Sequence, residues 1–126
     1  METIMSKTFT AGADLSDYQY RFVYLSSEGT VTYCGASGTP LGILQNAPES
    51  GELANVMLIG LSKLSMSATC SVMAKIGCAA SGQGVAVTGD DEIYGAMAIQ
   101  AAANANECID VLLTPGCPTI SASGDD

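Results

Sequence analysis

Short apolar runs and a polar connection follow one another along the middle of the chain. Residues 41–45 form a short apolar run, residues 46–52 a polar connection rich in turn-forming residues, and residues 54–59 a second apolar run. Short apolar runs are typical of strands, whereas Asn, Pro, Ser and Gly supply conformations that strand interiors disfavour. In the second run Val56 and Leu58 point one way and Met57 and Ile59 the other, which predicts a strand covered on both faces, by core and by a neighbouring subunit or loop. The segment 39–60 therefore predicts a strand, a turn and a longer strand.

The same plan returns over residues 93–116. Placing Gly42 on Gly95 brings Val56 near Val111, with a short insertion in the second connection. Self-similarity at a fixed period is the sequence signature of a repeated structural unit. We therefore expect an all-β domain built from two similar halves.

Other β-branched and apolar segments predict further short strands. Residues 20–25 and 30–34 flank a Ser-Ser-Glu-Gly turn and predict a hairpin, while residues 70–78 fit either a short helix or a strand. No segment is long enough for the crossover helix that a parallel sheet requires. The predicted fold is a small β-sandwich or partly closed β-barrel with an internal pseudo-repeat, an extended N-terminal arm and at most one or two short helical turns.

The predicted organisation has three parts. Residues 1–12 form an N-terminal arm, residues 13–116 a single β domain with repeat units at about 20–60 and 78–116, and residues 117–126 a flexible C-terminal tail. The arm is either a frayed terminus or an extended segment that orders on a partner. Because the N-terminus lacks the basic and apolar regions of a secretion signal, we expect a soluble protein made in the cytoplasm.

Charge and composition exclude two classes of partner. The net charge is −9, with four basic residues against thirteen acidic ones. A nucleic-acid-binding protein needs a basic surface to displace counterions from phosphates, and an anionic membrane surface would repel this chain. We therefore expect neither nucleic acid nor membrane as a partner.

Cysteine usage favours reduced thiols. The chain has five cysteines, an odd number, and none belongs to a C-x-x-C pair. Without a predicted export signal, such cysteines are expected to pack as small apolar side chains. One disulfide and a metal site are the alternatives.

The sequence offers little of the chemistry that an enzyme needs. It has no histidine, which is the commonest general base and a frequent zinc ligand. Neither S-x-x-K nor G-x-S-x-G, patterns that mark a nucleophilic serine, occurs in it. We expect a protein that is not an enzyme, with no catalytic residue, no cofactor and no metal site.

Three segments are possible exceptions. The acidic cluster at 90–92 could bind a divalent cation, but a solvated turn is favoured because consecutive acids in a strand point to opposite faces. The glycine-rich segment 77–84 lacks the Lys-Ser/Thr of a phosphate-binding loop and is expected to connect strands. Lys75 follows Met73 in an arrangement similar to the modified lysine of lipoyl or biotinyl carriers, although an ordinary surface lysine is favoured.

Several short motifs occur along the chain, namely F-T-A-G at 9–12, D-L-S at 14–16, L-G-I-L-Q-N at 41–46, Gly51-Glu52 and V-L-L-T-P-G at 111–116. Together they resemble motifs of the small capsid decoration, or cement, proteins of tailed bacteriophages. The resemblance runs over most of residues 8–116 and includes the pattern G-I-L-Q-N followed by a Gly-Glu turn.

This resemblance implies a structural virion protein on the outer surface of a capsid, where it bridges subunits of the major capsid protein and stabilises the shell. Binding to the assembled lattice and not to separate subunits stabilises the lattice by mass action, and many copies multiply the effect. Its copies could also contact one another, as a trimer or as lattice neighbours. The hypothesised capsid contacts are Thr8, Phe9, Thr10, Ala11, Gly12, Met57 and Ile59.

Two other functions remain open from the sequence. One is a different virion subunit, such as a head–tail connector or a tail-tube protein. The other is a β-domain carrier or small-molecule-binding module, for which Lys75 would be the modified residue.

Overall fold

The computed structural model describes residues 5–35, 40–87 and 95–113. Over these residues the chain forms nine strands and one short 3-10 turn, so the predicted all-β fold is confirmed. The strands are β1 (Met5–Ala11), β2 (Phe22–Ser27), β3 (Thr30–Tyr33), β4 (Gly42–Leu44), β5 (Leu53–Ser65), β6 (Lys75–Cys78), β7 (Gly84–Ala86), β8 (Ala96–Ala98) and β9 (Cys108–Leu113). The ambiguous segment 70–78 ends in strand β6.

Five strands close what we call the N-terminal barrel, namely β1 to β4 and residues 53–59 of β5. Around the ring, β1 pairs with β3, β3 with β2, β2 with β4, and β4 with β5. Strand β5 then returns antiparallel to β1, with Leu53 opposite Thr10 and Ile59 opposite Met5. The β1–β3 pairing is the parallel step of the ring.

The remaining strands repeat this order in what we call the C-terminal barrel, namely residues 60–65 of β5 with β6 to β9. Here β5 pairs with β9, β9 with β8, β8 with β6, and β6 with β7. A parallel bridge between Met66 and Gly84 closes this ring, as the β1–β3 pairing closes the first. Strand β5 is shared by both barrels, and Gly60, at φ 122°, lies where it passes from one to the other.

Backbone hydrogen bonds show that the two barrels are copies of one unit. The Ala11 N–H donates to the Glu52 carbonyl in the first barrel, and the Met66 N–H donates to the Glu107 carbonyl in the second, both at 2.8 Å. Each unit begins earlier than the sequence pattern predicts, with β1 in the first repeat and with residues 60–65 of β5 in the second. The repeat units are therefore residues 5–59 and 60–113, longer than the sequence pattern predicts.

The alignment of Gly42 on Gly95 is wrong by one residue. Gly42 is the first residue of β4, and its counterpart at the start of β8 is Ala96. Strand pairing fixes this register. Val56 lies opposite Leu44, the last residue of β4, and Val111 lies opposite Ala98, the last residue of β8. A slip of one residue exchanges inward and outward side chains, so all equivalences below use the corrected register.

Residues 5–11 of the predicted arm are strand β1, so an arm separate from the domain is the wrong description for them. They pair along β5, and the buried Ala11 and half-buried Phe9 pack against the core of the N-terminal barrel. Apolar side chains on one side of this strand are the reason that it docks on its own chain. The acidic cluster at 90–92 and the predicted tail at 117–126 lie outside the described residues.

Each barrel has its own apolar core. The core of the N-terminal barrel consists of Ala11, Leu15, Val23, Val31, Leu44, Ala54 and Val56. The larger core of the C-terminal barrel also includes Phe22 and Ile43, which belong to β2 and β4 of the first barrel. Fully burying an apolar side chain of that size contributes about 1.5–3 kcal/mol. The outer face of the first barrel therefore fills one end of the second.

Candidate docking surfaces

An uncharged face extends over four strands of the N-terminal barrel. Strand pairing places its side chains together, because Thr10 lies opposite Leu53 on β5 and opposite Thr30 on β3. Leu53 is 66% exposed. The face, which we call the threonine face, consists of Thr8, Thr10, Tyr24, Thr30, Thr32, Leu53 and Asn55. It is free of charge in a chain whose net charge is −9.

The hypothesised capsid contacts do not all lie on one surface. Thr8 and Thr10 belong to the threonine face, and Gly12 is exposed beyond it. Ala11 is only 2% exposed and lies in the barrel core, so its side chain cannot contact a partner. Met57 packs against the core of the C-terminal barrel, so the neighbour predicted to cover this residue is the chain's own second half.

The two remaining hypothesised contacts lie beside this face. Ile59 is half-buried opposite Met5 on β1. Phe9 points toward the barrel interior, because its partner on β5 is the buried Ala54. The Lys7 ammonium lies 5.8 Å from the centre of the Phe9 ring.

Three residues of the N-terminal barrel that are at least partly exposed make up what we call the barrel mouth. It consists of Lys7, Phe9 and Leu25. Lys7 is exposed, Phe9 is half-buried and Leu25 is 44% exposed. Partly exposed apolar side chains and the cation over the Phe9 ring make the barrel mouth amphipathic.

The outer face of the C-terminal barrel carries apolar side chains, and we call it the C-terminal face. It consists of Met73, Lys75, Met97, Ile99 and Leu112. Strand pairing joins Lys75 to Met97 and Met97 to Leu112 in one row. Met73 is 66% exposed, Ile99 47% and Leu112 42%. The alternation of β9 in the sequence predicts an outward Leu112, but nothing in the sequence brings Met73 to the same surface.

A groove with a volume of about 380 Å³ lies between the two barrels. Its lining residues are Tyr20, Gln45, Leu61, Ser62, Lys63, Ile99 and Asp110. Inside it, Lys63 and Asp110 form an ion pair at 2.9 Å, and the hydrogen bond to Asp110 raises the pKa of Lys63. Both side chains are 54% exposed, so solvent screens the pair and it adds little to stability.

Side chains also join the two barrels at their junction. The Arg21 guanidinium lies 5.0 Å above the Tyr18 ring and donates a 3.3 Å hydrogen bond to the Ser81 carbonyl of the other barrel. Tyr18 in turn stacks on Tyr33, with ring centres 4.8 Å apart. Arg21 therefore contacts the aromatic stack and also links the two repeats.

Two buried thiols meet at the same junction. Cys34 belongs to the first repeat and Cys78 to the second, and both are buried in the core of the C-terminal barrel. The neighbouring Cys34 thiol, together with burial, raises the pKa of the Cys78 thiol. Of the cysteines in the described part of the chain, none is in a disulfide.

The segments weighed for chemistry have ordinary structural positions. Lys75 begins strand β6 and lies opposite Met97, which is not the hairpin tip that a carrier lysine would occupy. Residues 77–84 supply the end of β6, the 3-10 turn and the start of β7, so they do connect two strands. Within residues 5–35, 40–87 and 95–113, no group of three or more His, Cys, Asp or Glu side chains is placed to hold a metal ion.

The fold, two fused five-stranded barrels, occurs in a phage head protein. A solved structure with this fold is the N base of head fiber gp8.5 of bacteriophage phi29, with a TM-score of 0.71. The match covers 92% of this chain and 98% of that chain at 12% sequence identity, so the likeness concerns the fold. The resemblance to phage head proteins is thus confirmed at the level of architecture. No family model matches the chain, and no curated protein does.

In the described part of the chain, none of the helical segments has the length and apolar character that crossing a bilayer requires.

Proposed function

We propose that this protein is a structural component of a phage virion that binds the outer surface of the capsid and stabilises the shell by bridging subunits of the major capsid protein. The observation that carries the proposal is the fold, which this chain shares over 92% of its length with the base of a phage head fibre. The sequence motifs similar to those of capsid decoration proteins are a second line of support. A cement protein needs binding surfaces and no reaction chemistry.

The threonine face is the surface that we assign to the capsid contact. Interface centres are depleted of charged residues, because burying an unpaired charge is costly. This face meets that requirement in a strongly acidic chain, and Leu53 supplies an exposed apolar side chain on it. Threonine hydroxyls both donate and accept hydrogen bonds, so they can satisfy polar groups of a partner.

The copy number in particles tests the proposed function. Particles of the phage that encodes this chain are purified, and the protein is quantified against the major capsid protein by mass spectrometry. We expect on the order of hundreds of copies, because lattice binding is multivalent. A single ring of copies would instead indicate a head–tail connector, and absence from particles would overturn the proposal.

A substitution on the threonine face tests the assigned surface. Leu53→Glu should weaken binding to particles that lack the protein by at least tenfold, because it introduces a charge on the assigned contact surface. Leu61→Glu is the matched control, since Leu61 is an exposed leucine on the same strand but off the threonine face. If both variants bind equally, the threonine face is not the capsid contact. The copy-number result would stand independently of that outcome.

A further inference from the structure

The C-terminal face corresponds, in the repeat, to the surface of the N-terminal barrel that the second barrel covers. Pairing across β2, β4 and β5 places Phe22, Ile43 and Met57 in one row. The corresponding row across β6, β8 and β9 is Lys75, Met97 and Leu112.

These two rows differ in what covers them. Phe22 and Ile43 are fully buried under the second barrel, whereas Leu112 is 42% exposed. The C-terminal face is therefore equivalent to a surface that the next unit covers in the first repeat, but the described residues contain no third unit to cover it. Exposed apolar side chains grouped in this way mark interaction sites.

The barrel mouth shows the complementary relationship. Leu25 corresponds to Cys78, because each lies opposite the residue that closes its barrel, Val31 or Gly84. Cys78 is only 5% exposed, whereas Leu25 is 44% exposed. The first barrel thus covers Cys78 of the second barrel, whereas the equivalent Leu25 of the first barrel is exposed.

The other two residues of the mouth follow the same rule. Phe9 is half-buried, but its counterpart Leu64 is fully buried. Lys7 is exposed, and its counterpart Ser62 is 8% exposed and accepts a 2.9 Å hydrogen bond from Gln45 of the first barrel. Every residue of the barrel mouth is therefore more exposed than its counterpart in the C-terminal barrel.

We propose that the C-terminal face of one copy of this protein docks on the barrel mouth of a second copy, repeating between molecules the contact that joins the two barrels within one. The occupant is a second copy because the contact continues an interface that the chain already makes with itself. The contact is heterologous, so it closes into a ring or extends as a filament according to its rotation. This inference does not depend on the proposed capsid function.

The buried thiol pair supplies a direct test. Cys34 of the first repeat and Cys78 of the second are buried in the same core at the internal junction. Their counterparts are Val87 on the C-terminal face side and Leu25 in the mouth, since the Cys34 N–H donates to the Phe22 carbonyl as the Val87 N–H donates to the Lys75 carbonyl. Cysteines introduced at positions 25 and 87 should therefore meet between two molecules.

The experiment compares covalent products after oxidation with copper–phenanthroline, in a Cys70→Ser, Cys108→Ser, Cys117→Ser background that leaves only buried native thiols. The double variant Leu25→Cys, Val87→Cys should give a ladder of linked chains or a closed ring. An equimolar mixture of the two single variants should stop at the dimer, and neither single variant alone should dimerise. Mass spectrometry of the cross-linked peptide identifies the bond, and circular dichroism checks that each variant is folded.

The control pair is Leu25→Cys, Leu53→Cys, which keeps the mouth thiol and moves the second thiol to an exposed residue off the C-terminal face. We expect the test pair to cross-link at least tenfold faster than this control. Equal rates would overturn the proposal, as would dimers from a single variant, because those require an isologous contact. Met97→Glu in the test pair should abolish the cross-link, and its survival there would also contradict the assigned face.

Discussion

Tyr20 and Met73 occupy equivalent positions in the two repeats, and both have a left-handed backbone, with φ of 64° and 71°. Each donates its N–H at 2.8 Å to the last residue of a short strand, Leu44 in the first repeat and Ala98 in the second. A left-handed conformation costs a residue with a side chain about 1–2 kcal/mol. The unit therefore retains the same strained turn twice, although the two side chains differ.

Replacing Met73 by glycine should stabilise the protein. Glycine takes φ of 71° without steric cost, so we expect the free energy of unfolding to rise by up to about 1 kcal/mol after the entropy of the glycine is counted. Urea denaturation measures the change. Val72→Gly is the control, because Val72 has an ordinary φ and its loss should lower stability. A destabilised Met73→Gly protein would mean that the side chain contributes more than the strain removes.

Gly84→Ala should destabilise the C-terminal barrel. A Cβ at this position would lie 2.7 Å from Leu64 Cδ2 and 2.8 Å from Met66 Sδ, at the bridge that closes the ring. Overpacking of a core typically costs about 1–3 kcal/mol, which thermal or urea unfolding would detect. Gly35→Ala is the control, since a Cβ there meets nothing within 4 Å. Equal effects at the two glycines would show that the bridge tolerates a side chain.

Phe22→Ala tests the coupling of the two barrels. Phe22 belongs to the first barrel but is fully buried in the core of the second, so its truncation should cost about 3–5 kcal/mol. Hydrogen exchange should show the loss in β9 as well as in β2, because both strands contribute to that core. Tyr24→Ala, at a 40% exposed residue of the same strand, is the control and should have a small effect. Faster exchange confined to β2 would contradict the coupling.

Cysteine alkylation should separate exposed from buried thiols. Cys108 is exposed, whereas Cys78 is buried and has a raised pKa, so little of it is thiolate near pH 8. Short pulses of iodoacetamide from pH 7 to 9, followed by mass spectrometry, should label Cys108 and leave Cys78 unmodified until the protein unfolds. The same pulses in urea are the control for intrinsic reactivity. Equal labelling of both in the native protein would contradict the burial of the junction.

The sequence predicts the repeat and the strand class well, because both depend on local alternation and turn residues. It misses the true register, since Gly42 and Gly95 look alike although only strand pairing decides that Gly42 corresponds to Ala96. It also misses that β1 closes a barrel, because the segment holding Phe9 and Ala11 is too short to show a clear period. The pairing that buries Ala11 is a long-range one that no local pattern contains.

The candidate surfaces were predictable only in part. Thr8 and Thr10 lie on an outer face, whereas Met57, in a strand that is apolar on both sides, lies against the second barrel. The apolar pattern predicts that Met57 is covered but does not identify the covering element. Leu53 and Met73, the most exposed large apolar side chains among the described residues, follow from tertiary placement and from an unusual φ.

Because β5 passes from one barrel to the other as a single paired strand, the molecule has no linker about which its halves could swing. A pull applied between the threonine face and the C-terminal face would load the hydrogen bonds of β1 and β9 in shear along one backbone. Such an arrangement holds the distance between the threonine face and the C-terminal face constant under tension.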